Sequence, residues 1–117
     1  MTALLETYPT RELWLAARDT GLGGSDSPVV MGLSPYTTAR ELYERKCGNL
    51  PPVAQTPAMA RGTRHEPGIL REWLQTSGAT LEEIPPWSLY RSAEHPYRFY
   101  SPDAVAALGG RRVAVEI

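Results

Sequence analysis

The chain has little that would mark it as secreted, membrane-bound or broadly basic. It holds one cysteine, Cys47, so no disulfide framework can form. A lone thiol suits a reducing cytoplasm and reads as an ordinary buried or half-buried side chain. No apolar run approaches the roughly 20 residues that cross a bilayer. The opening Met-Thr-Ala-Leu-Leu-Glu lacks a basic stretch ahead of an apolar one, so no signal peptide is expected. A net charge of −1 excludes any global attraction to nucleic acid, and DNA could be held only by a local basic surface. Internal repeats and low-complexity tracts are absent too.

What is present is 117 residues with 42% hydrophobic content, enough for one domain over residues 1–117. Eleven prolines and ten glycines cluster between periodic segments and act as punctuation. Thr10 predicts the cap of a helix running to about Thr20, with Gly21 placed to end it. Ser25 or Asp26 can cap a short helix with Pro28 in its first turn and Val29, Val30 and Met31 facing inward. Thr38-Ala39-Arg40-Glu41 fits a capping box that opens a helix ending at Gly48. Thr56-Pro57 starts another that reaches Gly78, with a kink or break expected near Glu66 because Pro67 lies inside it. Beyond Gly78 the pattern turns to short extended runs at Thr80–Ile84, Ser88–Arg91, Tyr97–Ser101 and Arg112–Ile117. Helices first and strands second predict an α+β domain, with helices covering one face of a small mixed sheet.

Three acids stand out along this frame. On helical spacing, Met59, Thr63, Glu66, Leu70 and Trp73 fall on one otherwise apolar or small stripe, which turns the Glu66 carboxylate toward the core side. A buried carboxylate is kept only when paired or bound to a metal. Glu66 can equally pair with Arg61 or Arg64 on a solvated face. Asp103 follows Ser101-Pro102 at the end of an aromatic run, where proline stops the strand and presents the acid at its edge; a plain turn aspartate is the other reading. Glu116 is the single acid of Val113-Ala114-Val115-Glu116-Ile117, a strand in which it shares a side with Ala114. Through Gly109-Gly110 this strand can pair with Tyr97–Ser101 and bring Glu116 near Asp103. Two carboxylates and a main-chain carbonyl make an oxygen-rich site suited to Mg²⁺ or Mn²⁺.

Gly-Gly-Ser-Asp at 23–26, Gly-Leu-Ser-Pro-Tyr at 32–36, Glu-Leu-Tyr-Glu-Arg-Lys-Cys-Gly at 41–48, Arg-Gly-Thr-x-x-Glu-Pro at 61–67, Ser-Pro-Asp at 101–103 and Val-Glu-Ile at 115–117 occur in that order. Together they resemble the YqaJ-type viral recombinase family. Its members are relatives of phage lambda exonuclease within the restriction-endonuclease-like, PD-(D/E)xK nucleases. The resemblance covers roughly Trp14 to the C-terminus.

It implies a restriction-endonuclease-like fold and a Mg²⁺- or Mn²⁺-dependent DNA exonuclease. The enzyme would act 5′→3′ on duplex DNA in recombination or phage replication, in a bacterial or phage-infected cytoplasm. Asp103 and Glu116 would hold the metal, helped by the carbonyl of Ile117, with Glu66 beside them. Arg18, seven residues before Ser25, would grip a 5′-phosphate with Ser25 and Ser101, and Trp14 could stack on a base or simply fill the core. Relatives carry a lysine two residues after the second acid. The chain ends at Ile117, one residue short of it, so a fragment is expected, with lysine next in the parent protein. A single-strand annealing protein and a homo-oligomeric ring are the partners implied. An endonuclease of the same fold and a non-catalytic DNA-binding or assembly module are the competing readings, and a plain structural domain is a further one.

Overall fold

A threonine hydroxyl opens each of the three longer helices. In this computed structural model, which describes residues 3–117, the elements run β1 Ala3–Thr7, α1 Arg11–Arg18, α2 Ser27–Val30, α3 Ala39–Lys46, α4 Pro57–Ser77, β2 Thr80–Glu82, β3 Ser88–Ser92, β4 Phe99–Tyr100, β5 Ala104–Leu108 and β6 Arg111–Val115. The side chains of Thr10, Thr38 and Thr56 accept from the N–H groups of Leu13, Glu41 and Met59, each at 3.2 Å. Each satisfies a donor that the first helical turn leaves without a partner. Among the described residues, four helices and two three-stranded antiparallel sheets make an α+β arrangement. The expected single mixed sheet is replaced by these two sheets.

The residues divide into two compact units. The first holds Met1–Pro52 and Pro85–Ser101, with strand order β1-β3-β4. Its core is Ala17, the fully buried Leu89 and Phe99, with Tyr8 and Trp14 packed against it. Helix α1 stops at Asp19 rather than at Gly21. Gly21 serves a different purpose: a Cβ there would run into the Tyr97 carbonyl. That close approach lets Leu22 bond to Tyr97 and Phe99 on both sides (2.7 and 3.0 Å) and form a parallel bridge to Arg98. The Gly-Gly-Ser-Asp turn is thereby laid beside Phe99, where a Cβ on Gly23 would stand 2.8 Å from the ring.

A 3-10 turn, Gly24–Asp26, leads into α2. Of the three residues expected to face inward, only Val29 does, because four helical residues bury a single position; Val30 and Met31 are 49% and 72% exposed. Cys47 is likewise exposed, contrary to expectation, because it sits at the C-cap of α3, where the chain turns out through Gly48.

The second unit holds Val53–Ile84 and Pro102–Ile117, with strand order β2-β5-β6. Helix α4 runs unbroken through Pro67 and ends at Gly78 in a left-handed cap. Of the anticipated kink or break, the break is absent: proline removes one N–H bond and crowds one turn, and the remaining bonds of a 21-residue helix carry it through. The final strand pairs with β5, a strand not foreseen, and not with Tyr97–Ser101. Ala-Val-Ala-Ala-Leu is too low in β-branched residues to announce a strand. Gly109 and Gly110, both at positive φ, make the two-residue turn that returns β6 alongside β5. Alanines on β5 leave room for Arg112 on β6 to reach Glu82 on β2 in a two-pronged ion pair (both 2.7 Å). Among the described residues, no helix is long and apolar enough to cross a membrane.

Candidate functional site

Asp103 occupies the step where the chain enters β5, and two bonds fix it to the end of β6. Its N–H donates to the Val115 carbonyl (3.1 Å), and its carboxylate accepts from the Ile117 N–H (2.7 Å). The register Ala104↔Val115 continues past the strands and sets Asp103 across from Glu116 and Ile117. The sequence reading brought these residues together through the wrong partner strand; the hairpin β5–β6 does it instead.

Glu66, from the half-buried face of α4, completes the group. Its pKa is raised, first by burial, then by the negative charge of Asp103 and a hydrogen bond shared with it, and then by Glu116. The alternative pairing with Arg61 or Arg64 is not what the structure shows. The half-buried part of the α4 stripe is Glu66, Leu70 and Trp73, whereas Met59 and Thr63 at its start are exposed. Acids from a helix, a strand entrance and a strand end therefore gather within the second unit. Among the described residues, no three His, Cys, Asp or Glu side chains form a ready-made cation cage. The donor set is nevertheless of the right kind for a hard divalent cation: oxygen only, three carboxylates, and mutual repulsion that a positive charge would relieve.

The other four candidates belong to the first unit. Arg18, in the last turn of α1, lays its guanidinium 4.6 Å from the Trp14 ring centre and 5.7 Å from that of Phe99. Trp14 itself is held by its indole N–H, which donates to the Ser88 carbonyl (3.0 Å), and by Trp87 at 5.6 Å between ring centres. It is half core and half cation platform. Ser25 is exposed on the 3-10 turn, and among the described residues no hydrogen bond joins it to Arg18. Ser101 Oγ is buried and has no hydrogen-bond partner among the described residues. An orphaned hydroxyl of this kind costs about 1–3 kcal/mol unless something accepts or donates to it, and it marks a place for water, an ion or a ligand.

A profile of the YqaJ-like viral recombinase domain matches residues 13–117. The chain belongs to the YqaJ-like viral recombinase domain family. Among curated proteins, the uncharacterized protein YqaJ of Bacillus subtilis (strain 168) is 34% identical over 70 residues, 59% of this chain and 22% of that protein. The chain thus spans less than a quarter of the relative it matches.

One residue of this YqaJ-like chain went unmarked in the sequence although its segment carried the resemblance. Lys46, at the end of α3, donates to the Arg18 carbonyl (3.0 Å), pairs with Asp26 (3.2 Å) and lies 5.5 Å from the Phe99 ring centre. It ties the Arg18 helix to the Gly-Gly-Ser-Asp turn. Arg91, also near Phe99 (6.0 Å), pairs with Glu6 at 2.8 Å. Three cations thus surround one ring; two have acid partners, and Arg18 has none among the described residues. Local sequence could not signal this, since the three come from α1, α3 and β3.

Proposed function

We propose that the chain carries the metal-binding and end-binding parts of a Mg²⁺- or Mn²⁺-dependent DNA exonuclease. Its substrate would be a duplex end bearing a 5′-phosphate, in a phage-type recombination system. The observation that carries the reading is the mutual contact of Glu66 and Asp103 beside Glu116, three acids brought together from separate elements. Asp103, Glu116 and the Ile117 carbonyl would hold the cation, with Glu66 taking a second position or its waters. Such a cation, when bound, polarises a phosphoryl oxygen and lowers the pKa of a water.

The residues' own work is positioning. The Ile117 N–H fixes one oxygen of Asp103 and so orients the carboxylate. Half-burial keeps Glu66 aimed at the same place. Arg18 offers a two-pronged fork to a phosphate, with its plane steadied on Trp14, and the hydroxyls of Ser25 and Ser101 supply further donors.

Calorimetric titration with Mn²⁺ tests the acid site. Binding to the wild-type chain that vanishes in Asp103→Ala is the expected result; binding that survives, or is absent from a folded wild-type chain, refutes the site. Arg18→Ala should abolish any preference for 5′-phosphorylated over 5′-hydroxyl duplex. An unchanged preference would move the reading to an endonuclease of the same fold.

A further inference from the structure

Helix α4 has a second face that the acid site does not use. Arg61, Arg64, Gly68 and Arg71 are spaced +3, +4, +3, which places them within an arc of roughly 80° on the side away from Glu66. At 1.5 Å per residue the row spans about 15 Å. All four are exposed. None of the three arginines has an ion pair or side-chain hydrogen bond among the described residues, unlike Arg40, Arg91 and Arg112. His65 and Glu72 flank the row, and Glu72 is the one acid on that side.

Gly68 is the second observation. Glycine inside a helix costs about 1 kcal/mol relative to alanine. Here no atom lies within 4 Å of where its Cβ would be, so internal packing does not require it. Its smallness leaves a shallow gap midway along the arginine row, open to something arriving from outside.

We infer that this face of α4 is a second DNA contact, a track for the phosphate backbone of duplex DNA set apart from the acids. The inference rests on the nuclease reading for its choice of DNA. Guanidinium forks match phosphate oxygens, and a row of about 15 Å follows several phosphates at about 3.4 Å of axis each. In a chain of net charge −1, three unpaired arginines in line give the local basic surface that DNA binding demands. The contact is with backbone alone and therefore independent of sequence and of DNA ends.

The test is fluorescence anisotropy with a closed, end-less duplex dumbbell, in Ca²⁺ to prevent cleavage, across a salt series. For Arg61→Gln/Arg64→Gln/Arg71→Gln, affinity should fall at least about tenfold, and the slope of log affinity against log salt should flatten by roughly 2–3. The corresponding triple lysine variant should recover most of the slope. Arg40→Gln/Arg45→Gln, whose arginines are engaged with Glu44 and the Pro51 carbonyl, should leave it unchanged. An unaltered slope in the triple glutamine variant, or no dumbbell binding by the wild-type chain, overturns the inference. Mn²⁺-dependent cleavage of linear duplex by the wild-type protein, scored separately, reports on the nuclease reading alone.

Discussion

At the scale of single residues, charge placement matters more than charge number. Glu6 is pulled in two directions: burial raises its pKa, while hydrogen bonds from Tyr8 (2.7 Å) and Arg91 (2.8 Å) lower it further, and the net shift is downward. A carboxylate whose pKa is depressed on folding stabilises the folded state above its ordinary value near 4.5. That contribution is lost as pH falls through the folded value. Glu6→Gln should therefore lower the melting temperature at neutral pH and flatten its fall below about pH 4.5. The effect should be small, below about 1 kcal/mol, because the pair is part-exposed; melts across an acid pH series check it, and an unchanged acid limb would refute the assignment. Glu66 has the opposite sign. Its raised pKa withdraws stability as pH rises, because burial and the neighbouring charges of Asp103 and Glu116 disfavour its ionised form. The proximity of Asp103 and Glu116 was legible, one from the proline that ends its run and the other from its apolar strand, although through the wrong strand pairing. Arg18 was made a candidate only by the family resemblance, since a single arginine at a helix end carries no local signal. Lys46 was not legible in either way, because its partners lie 20 and 28 residues away and meet it only through the fold.

At the scale of elements, caps and turns were readable and pairings were not. Thr10, Thr38 and Thr56 announce their helices because the chemistry is local: one hydroxyl and one N–H three residues on. The partner of β6 depends instead on β5, whose Ala-Val-Ala-Ala-Leu looks like no strand until Gly109-Gly110 folds β6 back onto it. Helix α4 shows how length offsets a local defect. Pro67 stands next to Glu66 and one turn after Thr63, whose hydroxyl already turns back to the Met59 carbonyl at 3.1 Å. Restoring the missing N–H should therefore stabilise the helix. Pro67→Ala is expected to raise stability by about 1–3 kcal/mol in denaturant melts. The same change lets the Glu66 turn relax, so Mn²⁺ affinity should weaken while stability rises. A variant that gained stability without losing affinity would show that Pro67 has no part in aiming Glu66.

At the scale of the whole molecule, the candidate residues and the two compact units divide along the same line. Asp103, Glu116, Ile117 and Glu66 all fall in the second unit, while Arg18, Ser25, Ser101 and Trp14 fall in the first, and the boundary passes through Ser101-Pro102-Asp103. One tripeptide thus supplies a hydroxyl to one set and a carboxylate to the other. If the acids hold the cation, binding should suppress local opening of the elements that carry them and leave the rest near its starting level. Hydrogen exchange with and without Mn²⁺ should accordingly show added protection in β5, β6 and the middle of α4. Strands β1, β3 and β4, with Leu89 at their core, should change little. A short duplex with a 5′-phosphate, added in Ca²⁺, should instead protect α1 and the Gly-Gly-Ser-Asp turn, because the guanidinium of Arg18, with no acid partner among the described residues, sits there. Equal protection of both units by Mn²⁺ alone would mean that the cation is not held by these four residues, since none of them lies outside the second unit.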